Sequence, residues 1–162
     1  MSHSYPGILV TYEGIDGAGK TELLHRQAAT LKEAGYDVLV TKEPGGTHIG
    51  RMLKKVLLEE EKECDPRFEF LLFAADRAEH FVRLIIPALK RGAIVLSDRM
   101  ADSSLAYQGF GRDMDKEFIE RTSAWAMHDI APDLTYYVHV PYEVALERRH
   151  ARPGTCHTME RE

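Results

Sequence analysis

The first apolar stretch, Ile8 to Tyr12, is β-rich; a glycine cluster follows it, and then Leu24, Ala28 and Leu31 fall on one helical face. Gly35 supplies a helix stop, and a second β-rich run, Val38 to Thr41, comes a few residues later. Strand, loop, helix and strand in that order make a βαβ unit. Ile49, Leu53, Val56 and Leu57 follow i, i+4, i+7, i+8 spacing, a helix closed by the acidic run Glu59 to Glu63, which reads as a solvated surface. Pro66 opens a long helix through Phe70, Phe73, Arg77 and Phe81, which Pro87 kinks or restarts. Ala93 to Ser97 reads as a third, buried strand. Asp115 caps a helix carrying Phe118, Thr122 and Trp125, Pro132 breaks the pattern, and Leu134 to Val140 reads as a fourth strand. A final helix is expected from Pro141.

Strands alternating with helices predict an α/β fold, with a parallel sheet covered by helices on both faces. No internal repeat or linker divides the chain, so residues 1–162 read as a single domain. Composition agrees: 44% of residues are apolar and 29% charged, the balance of a globular domain rather than a disordered or repetitive one. No apolar run approaches the roughly 20 residues of a membrane span, and the N-terminus lacks a signal-peptide core. A net charge of −5 argues against a nucleic-acid polymer as partner, yet leaves room for a small basic pocket that holds a phosphorylated ligand. Cys64 and Cys156 are far apart and in no metal-ligand spacing, so neither a disulfide framework nor a zinc site is expected, and a cytoplasmic location fits.

Gly14-Ile15-Asp16-Gly17-Ala18-Gly19-Lys20-Thr21 fills the pattern G-x-x-x-x-G-K-[ST] between a predicted strand and a predicted helix. Such a loop converges backbone N–H groups on phosphate oxygens, its lysine bridges phosphates, and its threonine offers a hydroxyl to Mg²⁺. The sequence therefore predicts a nucleoside triphosphate site on a three-layer P-loop fold. Ser97-Asp98-Arg99 lies at the carboxyl end of the third strand, where open α/β sheets bind ligands; Asp98 can orient a Mg²⁺-bound water and Arg99 can hold a phosphate. Phe73 and Arg77, four residues apart on one helix, offer an aromatic ring and a forked donor, which suits a base. Arg148, Arg149 and Arg152 crowd the end of the last helix, where they either meet an anion or serve the helix dipole. Glu43-Pro44-Gly45-Gly46-Thr47 is either a tight turn or part of a pocket.

Read together and in order, GIDGAGKT, TKEPGGT, LLFAADRAEH, SDRMADSSLAYQG and PDLT resemble thymidylate kinase, the family that phosphorylates deoxythymidine monophosphate (dTMP). The resemblance runs from Ile8 to about Arg152 and is to bacterial forms, whose phosphate loop lacks an arginine and whose lid, here about residues 148–160, supplies it. It implies ATP-dependent conversion of dTMP to dTDP in deoxythymidine triphosphate synthesis, with Mg²⁺, in a homodimer packed through long helices such as Pro66 to Leu89. It also implies roles. The loop from Gly14 to Thr21 and Arg148 hold ATP; Thr21 and Asp98 hold the metal; Lys20, Arg99, Asp16, Arg149 and Arg152 act on the transferring group. Phe73 stacks on thymine, Arg77, Ser104 and Gln108 bond its edge, Tyr107 packs near the sugar, and Glu43 and Pro44 shape the pocket. Lys54 stands where an arginine usually contacts the acceptor phosphate.

Departures from the family pattern are Glu22 after the phosphate loop, Met100 after Asp98-Arg99, His139 in the fourth strand and His157-Thr158 in place of the lid's Asp-Arg pair. The family also continues past the lid into a further helix, a fifth strand and a closing helix. The expectation here is a truncated chain in which the fourth strand becomes an exposed sheet edge. Two other functions stay open on the residues: a catalytically weak nucleotide-binding form, and a kinase for another deoxynucleoside monophosphate.

Overall fold

The computed structural model describes residues 3–59 and 64–151. Each apolar run becomes a strand of one parallel sheet: β1 (Ile8–Glu13), β2 (Val38–Lys42), β3 (Ile94–Asp98) and β4 (Leu134–Tyr137), in the order β2-β3-β1-β4. Side chains alternate across β1, so Leu9 enters one core with Phe81, Ile85, Leu89 and Val95, while Val10 and Tyr12 enter another with Leu24, Ala28 and Leu96. The two cores lie on opposite sheet faces, the layering expected for parallel strands buried on both sides. The strand register stands Tyr12 and Lys42 both opposite Asp98, so the carboxyl ends of β1, β2 and β3 open on one edge.

Helix α1 (Lys20–Glu33) joins β1 to β2, and α2 (His48–Glu59) and α3 (Pro66–His80) follow β2. On α2 only part of the anticipated face is covered: Leu57 is buried, whereas Ile49 and Val56 are exposed. Asp65 caps α3 by accepting the N–H groups of Arg67 at 2.9 Å and Phe68 at 3.4 Å. Asp65→Ala should therefore cost about 1 kcal/mol and lower the thermal midpoint by about 2–4 °C, as read by circular dichroism. The long helix does not run straight to Pro87. It widens into a π-helical stretch, Phe81–Ile85, before α4 (Ile86–Lys90), because Pro87 brings no N–H and its ring crowds the carbonyl four residues back.

Four sequence expectations are corrected. The third strand lies one residue later than Ala93 to Ser97. Residues 101–111, for which no element was anticipated, form the short helix α5 (Ala101–Ser104) and a π-helical segment, Leu105–Gly111. Helix α6 (Lys116–Ala126) starts from the Asp115 cap as expected, but it buries Ile119, Ser123 and Ala126, and leaves Phe118 exposed and Trp125 77% exposed. The fourth strand stops at Tyr137 rather than Val140. It occupies the sheet edge with Leu134, Tyr136 and Tyr137 exposed, and α7 (Tyr142–His150) begins after Pro141. Among the described residues no helix is long and apolar enough to cross a membrane. Most of the acidic run after Glu59, Cys156, Arg152 and the rest of the anticipated lid, His157-Thr158 included, lie outside the described residues.

Candidate active site

The glycine-rich loop leaves the end of β1 and enters α1 with no side chain capping the helix. First-turn N–H groups thus point outward at the positive end of the helix dipole. Gly14 and Gly17 stand at φ +140° and +87°, and a Cβ on either would collide with a main-chain oxygen, of Val138 and Ala145 respectively. Only glycine meets both demands. Lys20 is almost wholly buried and donates to the carbonyls of Gly14 at 2.8 Å and Ile15 at 2.9 Å, with the Asp16 carboxylate 3.7 Å away. Burial first, then the nearby Arg99 charge, hold its pKa below the usual lysine range. The Thr21 hydroxyl donates to the Asp98 carboxylate, which β3 presents from across the sheet.

Arg99 sits directly after β3. Its Nη2 donates to Asp16 and to the Tyr107 hydroxyl, the latter at 3.4 Å, and its guanidinium lies 5.3 Å from the centre of the Tyr107 ring. Burial works against its charge, but Tyr107 and Asp16 outweigh it and raise its pKa, so it stays cationic. Behind it lies Glu13, a buried carboxylate whose pKa is raised by burial against the opposing hydrogen bonds from Ser103 and Met100.

A second buried polar cluster underlies the cis Glu43–Pro44 peptide. Arg77 is 1% exposed and donates to Glu43 at 2.9 Å, Ser123 at 3.1 Å, Ser104 at 3.0 Å and the Met100 carbonyl at 3.2 Å. His80 bridges the other Glu43 oxygen at 3.0 Å and the Thr41 hydroxyl at 2.6 Å. Burial alone would raise the Glu43 pKa, but the Arg77 charge and His80 hold it below the usual range. Asp76 has the reverse fate. Burial, then the Glu43 charge, push its pKa up to about 6, although the Gly45 N–H reaches both its oxygens at 3.3 Å.

The folded chain holds the Asp76 proton more tightly than the unfolded chain, so this group's contribution falls as pH rises from about 4 to about 6. Across that window the stability difference between the natural chain and Asp76→Asn should move in the variant's favour by up to about 3 kcal/mol. Urea unfolding at stepped pH reads it.

Both clusters open into one cleft of about 290 Å³. Asp16, Gly17, Gly19, Lys20, Thr21, Asp98, Arg99 and Arg149 line it on the loop side, and Glu43, Pro44, Lys54, Phe73, Arg77, Ser104, Tyr107 and Gln108 on the other. Gly14, Ile15 and Ala18 supply loop backbone, and Arg148 reaches the carbonyls of Gly17 at 3.4 Å and Ala18 at 3.5 Å. Gln108 gives an amide N–H to Glu69 at 2.6 Å, and burial and the Lys42 charge lower the pKa of Lys54. Sequence reasoning passed over Glu13, Lys42, Asp76, His80 and Ser103. Each lies beside or within a motif that had been singled out, which was the available signal.

A family model described as Thymidylate kinase matches residues 12–162. The thymidylate kinase of Halothermothrix orenii is 45% identical over 142 residues, which cover 88% of this chain and 69% of that protein. That of Geobacter sulfurreducens is 45% identical over 157 residues, 96% of this chain and 74% of that protein. That of Thermomicrobium roseum is 48% identical over 153 residues, 94% and 72% respectively. The crystal structure of thymidylate kinase from Ehrlichia chaffeensis matches 88% of this chain and 81% of its own with a TM-score of 0.80 at 37% identity.

Proposed function

The chain belongs to the thymidylate kinase family, and on that premise we propose how its cleft transfers the γ-phosphoryl group of ATP to dTMP. One observation carries the reading: the phosphate loop and the Phe73 pocket open into a single cleft with Arg99 between them. That layout places a donor and an acceptor phosphate face to face.

On the donor side, the loop N–H groups and Lys20 hold the β- and γ-phosphates, and phosphate oxygens replace the Gly14 and Ile15 carbonyls as acceptors for Lys20. Arg148, already against the loop carbonyls, belongs to the ATP site. On the acceptor side, Phe73 stacks on thymine, Arg77, Ser104 and Gln108 offer polar groups to the base edge, and Tyr107 flanks the sugar. Glu43 and Pro44 form the wall, and Lys54 and Arg99 hold the acceptor phosphate. An anionic oxygen of dTMP attacks the γ-phosphorus while the bond to the ADP oxygen breaks. The attacking oxygen is already ionised at neutral pH, its second pKa being about 6, so no general base is required. Lys20, Arg99, Asp16, Arg149 and Arg152 arrange and offset the charge spread over the transferring group.

Thr21 and Asp98 fit Mg²⁺: a hydroxyl and a carboxylate, both hard oxygen donors, meet beside the phosphate loop. When bound, Mg²⁺ supplies positive charge to the β- and γ-phosphate oxygens. We further assign a cytoplasmic location, a single domain over residues 1–162 with a lid at about 148–160, and a homodimer. Support for the dimer is the exposed apolar surface of Met52, Phe68, Leu71, Phe118 and Trp125.

The test is coupled ADP release with ATP, Mg²⁺ and dTMP. ADP should form only when dTMP is present; nucleotide binding without turnover, or faster turnover of dUMP or dCMP, would overturn the assignment.

A further inference from the structure

Glu13 and Ser103 stand beside Arg99, Ser103 at the wall of the cleft and Glu13 behind it. Both oxygens of the buried Glu13 carboxylate are engaged: one accepts the Met100 N–H at 2.7 Å, the other the Ser103 hydroxyl at 2.6 Å. Ser103 in turn accepts an Nη1 N–H of Arg99 at 2.9 Å. Arg99 itself sits at φ +71°, a left-handed backbone that side-chain-bearing residues disfavour. Its N–H donates to the Tyr12 carbonyl at 3.0 Å, and its carbonyl accepts the Ser97 hydroxyl at 2.8 Å. One carboxylate therefore fixes the peptide after Arg99 and also the hydroxyl that receives its guanidinium.

We propose that Glu13 and Ser103 are positioning residues that aim the Arg99 guanidinium at the acceptor phosphate. The inference rests on Arg99 being the acceptor-phosphate ligand. Its chemistry is directional. A serine hydroxyl has one proton and two lone pairs; with the proton given to Glu13, Ser103 presents only lone pairs to Arg99. Glu13→Gln keeps the shape but puts an amide N–H against Ser103, which competes with Arg99 for the same oxygen. Ser103→Ala removes the relay while the bonds to Asp16 and Tyr107 persist, which draws the guanidinium toward the loop.

A double-substitution cycle tests this, with the dTMP dissociation constant measured by calorimetry and kcat by ADP release. Ser103→Ala and Glu13→Gln should each weaken dTMP binding and lower kcat by about tenfold, the scale of a small misplacement of a reacting group. ATP affinity should stay within about twofold. Ser103→Thr, which keeps the hydroxyl, should recover most of the loss. In an Arg99→Ala background Ser103→Ala should change neither quantity by more than about twofold, because the residue it acts through is gone. An equal loss with and without Arg99, or no loss in Ser103→Ala, overturns the inference, whatever becomes of Glu13→Gln. Binding of dTMP without turnover by the natural chain would count against the kinase reading and leave the calorimetric cycle decisive. Failure of the natural chain to bind dTMP would remove Arg99's acceptor role and the inference with it.

Discussion

Lys20→Ala is expected to lower kcat for dTMP phosphorylation by about 10³-fold, the scale set by removing a preorganised positive group from a charged transition state. The geometry of the loop explains why so much rests on one amine. Lys20 begins α1, is 5% exposed, and points back over its own loop to the carbonyls of Gly14 and Ile15. No other lysine or arginine lies within the loop sequence, and Arg148, which lies against the loop, reaches the carbonyls of Gly17 and Ala18 rather than those that Lys20 engages. Backbone N–H groups remain to hold phosphates, so ATP binding should weaken less than turnover. Single-turnover ADP formation at saturating ATP separates the two, and a variant with full kcat would refute the assignment of Lys20.

Arg77→Ala is expected to destabilise the fold by about 3–5 kcal/mol, the cost of leaving a buried charge without its partner. Glu43 is the charge left behind, with His80 as its remaining polar neighbour, and Ser104, Ser123 and the Met100 carbonyl lose a donor at the same time. For a chain of this length the thermal midpoint should fall by about 6–20 °C. Adding Glu43→Gln should recover part of that fall, because Glu43 is then no longer a buried carboxylate without its counter-charge. Calorimetric scans without nucleotide measure both variants free of any effect on binding.

The contrast between these two arginine and lysine sites marks how far sequence reading reaches. The phosphate loop was legible because its chemistry is local: eight consecutive residues fix the turn, the helix start and the phosphate ligands together. Strands β1 to β3 were legible because packing on both faces, partial for the edge strand β2, makes them continuous apolar runs. The Arg77 cluster was not, because its members come from three distant stretches, Thr41 with Glu43, Asp76 with His80, and Ser123, and only the folded sheet and its helices bring these together. Ser123 also accounts for the misread face of α6. As a polar residue it counts against burial in a hydrophobic pattern, yet it is buried because Arg77 supplies it with a donor. The pattern then favours Phe118, Thr122 and Trp125, about 100° away around the helix. Residues 101–111 escaped for a related reason: their serines, Gln108 and Tyr107 face polar partners and the cleft, so no apolar period betrays a helix.

Gly14 and Gly17 rest against main-chain oxygens of Val138 and Ala145, and main-chain atoms are the same whatever side chain they carry. The stretch from β4 into α7 can therefore drift in sequence without disturbing the loop, whereas it tolerates no change in length. A single inserted residue would advance Ala145 by a helical step of about 1.5 Å and a turn of about 100°, replacing a carbonyl with a side chain where the loop passes closest. Gaps in alignments of relatives should avoid this interval even where identity is low, and a peptide tag or fusion would have to be placed elsewhere.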